Sequence, residues 1–119
     1  MAPFEIAVTN GDDHMVRLAV EGEVDLSTSP KLLDGVLAAA VEHDRHHIVV
    51  DLHDVRFIDS SGLDAIVEAN RHVRDLNAHL IICNPSRMVQ RMFEVTGLDD
   101  VLDVRPGWAA NSLTGTTEA

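Results

Sequence analysis

Two adjacent hydroxyls, Ser60 and Ser61, sit in the stretch VVDLHDVRFIDSSGLD, residues 49–64, between an apolar run and a pattern of helical spacing. A serine at such a junction has three chemical uses. It can cap the helix, and Ser61 with Asp64 reads S-x-x-D, close to a capping box. It can carry a phosphate, which the free N–H groups and the positive end of the helix dipole stabilise without melting the helix. It can attack an acyl group, but that use needs G-x-S-x-G and a base. Here the surroundings read I-D-S-S-G-L, with no glycine two residues before Ser61, and spacing marks none of the seven histidines as its partner. Capping and modification therefore remain for Ser61, while Ser60, one residue earlier, is the weaker candidate.

Other reactive side chains point to less. His43, His46 and His47 are spaced like ligands, yet they straddle the expected end of a helix, where a histidine gains from the dipole. With no cysteine or second spaced cluster beside them, no structural metal is expected. The one cysteine, Cys83, lies in the apolar run Leu80-Ile81-Ile82-Cys83, so it forms no intrachain disulfide and packs as a small hydrophobe. That usage fits a reducing, cytoplasmic compartment. The segment E-G-E-V-D-L-S, residues 21–27, is a polar connection whose Asp25 gains meaning only if it sits beside Ser61.

The elements that must position these residues follow from periodicity. Phe4 to Val8 and Met15 to Glu21 alternate around Asn10-Gly11, which predicts a β-hairpin. Ser29-Pro30 reads as a cap and first helical residue, and Leu32, Leu33, Val36, Leu37, Ala40 and Val41 continue a helix over about 30 to 43. His47 to Leu52 is continuously apolar and β-branched, as in a strand buried on both faces. A helix over about 61 to 76 presents Leu63, Ile66, Val67, Asn70 and Val73 on one side. His79 to Cys83 is a further buried strand. Asn84-Pro85 then opens a third helix with Met88, Val89, Met92 and Phe93 inward and Gly97 as its stop, and Val101 to Val104 is a last strand.

The order β-β-α-β-α-β-α-β makes this an α/β domain over residues 1–106, a mixed, mainly parallel sheet with helices packed on it. Residues 107–119, small and polar apart from Trp108, read as a disordered tail. The strand-to-helix turn carrying Ser61 falls at the carboxyl end of a parallel strand, where open α/β sheets place their sites.

Composition narrows the partners. Twenty acidic residues against nine Lys and Arg give a net charge of −11, a poor match for nucleic acid or an anionic membrane. No signal peptide or window of about 20 apolar residues is visible, so a soluble protein is expected.

With these residues in hand, the chain resembles a STAS domain of the anti-sigma factor antagonist family over about residues 4 to 105. The most specific match is V-V-D-L-H-D-V-R-F-I-D-S-S-G-L. E-G-E-V-D, residues 21–25, and C-N-P-S, residues 83–86, match two further turns. The resemblance implies a binding switch without a cofactor, a monomer or small oligomer rather than an enzyme. The dephosphorylated antagonist binds an anti-sigma factor that is also a serine kinase and so frees the sigma factor. Phosphorylation of the second serine of D-S-S-G-L, here Ser61, switches it off, and a PP2C-type phosphatase restores it. Asp25, Asp59, Ser60, Gly62, Leu63 and Asp64 carry over as the surface that meets the partner. Asp64 departs from the small residue of many relatives and adds charge one turn from the serine. A scaffold domain of a stress-signalling assembly and a nucleotide- or anion-binding module are the alternatives.

Overall fold

The computed structural model describes residues 3–10, 15–42 and 47–107. Strands β1 (Glu5–Asn10) and β2 (Met15–Val24) form the expected antiparallel pair, in register from Glu5 opposite Glu21 to Asn10 opposite Val16. Gly11, expected in their turn, lies outside the described residues. The chain continues through α1 (Ser29–Glu42), β3 (His47–Ile58), α2 (Ser60–Asp75), β4 (His79–Cys83), α3 (Arg87–Thr96), a 3₁₀ turn at Leu98–Asp100 and β5 (Asp103–Arg105). The sheet order is β1-β2-β3-β4-β5, and the three pairs β2–β3, β3–β4 and β4–β5 are parallel because a helix returns the chain each time. This is one α/β domain with a mixed, mainly parallel five-stranded sheet.

Alternation divides the sheet residues between two faces. Val16, Leu18 and Val20 of β2, Ile48, Val50 and Leu52 of β3, and Leu80 and Ile82 of β4 share one buried cluster with Leu32 and Val36 of α1, Leu63, Ile66 and Val73 of α2, and Val89 and Phe93 of α3. The opposite face buries Met15, Val49, Ile81 and Cys83 as a second cluster, beside an ion pair between Arg17 and the buried Asp51. Cys83 is fully buried as expected, and desolvation first, then the Asp51 charge, pushes its thiol up to about 11. It is an unreactive side chain.

Several boundaries differ from the expectation. Strand β3 runs six residues past Leu52 to Ile58, because its pairing with β2 carries register shifts between Ala19 and Glu21 and between Gly22 and Glu23. Those irregularities leave Val55 and Ile58, three apart, both buried, a spacing that breaks the period of two. Helix α1 starts at Ser29, one residue early, with the Thr28 carbonyl accepting the first helical N–H, from Leu32. The last strand is Asp103–Arg105 rather than Val101–Val104, since the 3₁₀ turn leaves Val101 exposed and buries Leu102. Gly97 does stop α3, in the left-handed region at φ 76°, with its N–H donated to the Glu94 carbonyl. His47 belongs to β3, whereas His43, His46 and residues 108–119 lie outside the described residues. Among the described residues, no helix is long and apolar enough to cross a membrane and no group of three or more His, Cys, Asp or Glu could hold a metal ion.

Candidate functional site

The carboxyl ends of β2 and β3 lie side by side, Val24 opposite Ile58, and this pairing brings the two acidic turns together. The Asp59 N–H donates to the Val24 carbonyl at 3.1 Å, so the start of α2 is tied to the strand that leads into the Asp25 loop. Gly62 lets the helix approach so closely. A Cβ at that position would lie 2.7 Å from the Val24 carbonyl oxygen and from a side-chain carbon of both Val24 and Ile58.

Asp59, not Ser61, caps the helix. Its extended backbone ends the strand, and its Oδ1 accepts the Gly62 N–H at 3.1 Å and the Ser61 hydroxyl at 2.6 Å. Because the helix begins at Ser60, Ser61 already lies in the first turn and its hydroxyl donates rather than accepts, so the capping box expected from S-x-x-D does not form. Asp64 is exposed and its side chain makes no hydrogen bond among the described residues. The Ser61 hydroxyl first, then the Gly62 N–H, hold the Asp59 carboxyl below its ordinary 3.8, while the nearby charge of Asp25 works against them. A carboxylate held down in this way is a poor proton acceptor at neutral pH, which disfavours Ser61 as an activated nucleophile.

The Asp25 loop is equally well tied. Asp25 Oδ1 accepts the Ser27 N–H at 3.0 Å, the Ser27 hydroxyl at 2.8 Å and the Thr28 N–H at 3.2 Å. The Thr28 hydroxyl donates to the Glu23 carbonyl at 2.7 Å and accepts the Asp25 N–H at 2.9 Å. Hydrogen bonding, led by the Ser27 hydroxyl, lowers the Asp25 carboxyl from its ordinary value. Asp25 thus orders its own loop as well as adding charge to this edge.

Seven residues of this region came from the sequence, and they divide by depth. Ser60 and Asp64 are exposed, and Asp25, Asp59 and Ser61 are part-exposed around one edge. Gly62 and Leu63 are buried beneath that edge: Gly62 seats the turn and Leu63, on the apolar side of the helix as expected, packs in the core. Sequence reasoning missed Leu26, which is 78% exposed between Asp25 and Ser27, and Phe57, which is 42% exposed near the end of β3. An apolar residue inside a polar loop was the available signal for Leu26. A cleft of about 530 Å³ lies at the far end of α2, lined by Asn70, Arg74, His79 and Asp103, well away from Ser61.

The model of the STAS domain family matches residues 6–111. The chain belongs to the STAS domain family. Its similarity extends to the anti-sigma-B factor antagonist of Listeria monocytogenes, 31% identical over 104 residues that make up 86% of this chain and 89% of that one. Among solved structures, this STAS domain resembles an anti-sigma factor antagonist from Mycobacterium paratuberculosis, with a TM-score of 0.75 at 23% identity over 94% of this chain and 92% of that one. It also shares its fold with the Bacillus cell fate determinant SpoIIAA, solved in the phosphorylated form, with a TM-score of 0.70 at 17% identity over 92% and 97% of the two chains. The expected family and fold are therefore borne out, and the STAS sheet is what places the Ser61 turn beside the Asp25 loop.

Proposed function

We propose that this STAS domain is an anti-sigma factor antagonist that acts in the cytoplasm as a binding switch. Unphosphorylated, it binds an anti-sigma factor that is also a serine kinase and frees the sigma factor; phosphorylation of Ser61 ends binding, and a PP2C-type phosphatase restores it. The names of the relatives support the antagonist role. The observation that carries the switch is the position of the Ser61 hydroxyl, part-exposed in the first turn of α2 and hydrogen-bonded to Asp59.

A phosphate on that oxygen adds about −1.5 to −2 charge at neutral pH and removes the proton donated to Asp59. The N–H groups at the start of a helix accommodate such a group, so the fold survives. A docked partner would have to desolvate the dianion beside Asp25, Asp59 and Asp64, and this cost weakens the complex.

Incubation with the cognate kinase and ATP, followed by mass spectrometry, tests the reading. Parent protein and Ser60→Ala should take phosphate on Ser61. Ser61→Ala should escape modification and bind persistently, and Ser61→Asp should fold yet bind weakly. Phosphate on Ser60, or on neither serine, refutes the switch.

A further inference from the structure

The loop Asp25–Thr28 combines two properties: its backbone is held by many hydrogen bonds, and it projects an apolar side chain into water. Leu26 has the highest exposure, 78%, of any large hydrophobic residue described. Scattered exposed leucines are ordinary, so exposure alone carries nothing. What distinguishes Leu26 is its setting. Both flanks are tied to Asp25, by the Ser27 and Thr28 N–H groups into Oδ1 and by the Thr28 and Ser29 N–H groups into the Asp25 carbonyl. The backbone of such a loop is ordered before it binds, so docking loses less backbone freedom than it would on a slack one.

The surroundings specify the occupant. Glu23 and Asp64 are exposed, and Asp25 and Asp59 part-exposed, around the paired ends of β2 and β3, where Phe57, opposite Glu23, adds a second apolar side chain. Within the described residues of this edge, no lysine or arginine pairs with any of these four acids. An apolar projection inside an acidic rim fits a surface of opposite design.

We infer that Leu26 is an apolar anchor of the docking face, entering a hydrophobic pocket on the anti-sigma factor that is bordered by lysine or arginine. This deepens the function proposed above and rests on it. Leu26 then supplies affinity, and the acidic rim supplies orientation and association rate. The Ser61 phosphate opposes binding at the same edge without touching the anchor.

Calorimetric titration of the cognate kinase with parent, Leu26→Ala, Leu26→Met and the control Val95→Ala, 70% exposed on α3, separates the possibilities. Leu26→Ala should raise Kd at least about tenfold, as truncation of an interface anchor does, with the melting midpoint unchanged. Leu26→Met should stay within about threefold of the parent, since a flexible thioether refills an apolar pocket, and Val95→Ala should bind like the parent. Raising salt should weaken all complexes by a similar factor. If the parent binds and Leu26→Ala binds equally, or if Val95→Ala loses as much, the anchor is overturned while the switch stands. If neither the parent nor Ser61→Ala binds any kinase, the proposed function itself fails and the anchor falls with it.

Discussion

Helices α2 and α3 each follow a parallel strand and each begin with a serine near their start, yet the two serines do different things. Ser86 precedes α3 and makes no side-chain capping bond; its hydroxyl donates to the Val55 carbonyl at 2.7 Å and so pins the turn to β3. Ser61 donates to a side chain, Asp59, which is also the cap. The Val55 carbonyl belongs to the fixed backbone of β3, at a residue whose side chain is in the core, and cannot turn away. The Asp59 carboxylate, by contrast, keeps its bond to Gly62 when Ser61 changes. Equal residue types, one at the cap position and one inside the first turn, thus make one bond to backbone and one to a side chain, and only the second leaves its partner another bond when the serine changes.

The largest effect should come from the close approach that underlies the releasable end. Gly62→Ala drives a methyl group into the Val24 carbonyl and two core side chains, and should cost about 3 kcal/mol, the upper end for overpacking, because one obstacle is backbone. At the end of α3, a methyl group added to Gly97 would meet nothing within 4 Å, but the residue holds φ 76°, so Gly97→Ala should cost only about 1 kcal/mol. Denaturant melts of the two variants check the ordering, and a Gly97 variant equal to or worse than the Gly62 variant would break it.

A smaller effect separates the serines themselves. Ser86→Ala should cost about 1 kcal/mol, the loss of a hydrogen bond that leaves a carbonyl unmet, and leave kinase binding unchanged once folded. Ser61→Ala should move the melting midpoint less than Ser86→Ala does. Differential scanning calorimetry on the pair checks that ordering.

The smallest effect is in acid. The Asp59 carboxyl is lowered from 3.8 by the Ser61 hydroxyl and the Gly62 N–H, so the folded protein releases this proton more readily than the unfolded chain. Its contribution is fully present above 3.8 and disappears as pH falls through the lower folded value. Asp103 is lowered as well, by the Arg105 guanidinium first, so the comparison must be made with a variant at each pH. Between about pH 5 and the folded-state values, Asp59→Asn should lose stability less steeply than the parent in denaturant melts. Parallel curves would mean that Asp59 does not carry the linkage.

Most of the fold was legible because β3 and β4 read as continuous apolar runs and the three helices as clear periods, so the parallel order followed. The end of β3 was hidden by irregular pairing, which put Val55 and Ile58 out of phase with a period of two. At the site, Asp59, Ser60 and Ser61 are all good capping types in succession, and only the point at which helical geometry starts tells which one caps. Leu63 was legible as part of the apolar side of its helix, whereas Gly62 was legible as a motif position but not as a buried one, since its depth depends on Val24 arriving from another strand. The neighbourhood of Asp25 and Ser61 likewise comes from the Val24–Ile58 pairing, a contact between residues 34 apart that local pattern cannot encode.

The spatial order of the strands is also their order in the chain. A sheet of this kind grows by adding each new strand to one that has already been made, and a chain emerging from its amino end can follow that order during synthesis. The Asp25 loop and the Ser61 turn need only β2, β3 and α2, which are complete by Asp75. The surface proposed to meet the partner is therefore specified before β4, α3 and β5 have been made. Later changes in α3 or β5 would reach it through the stability of the whole domain, leaving sequence near the carboxyl end free to drift without rewriting recognition.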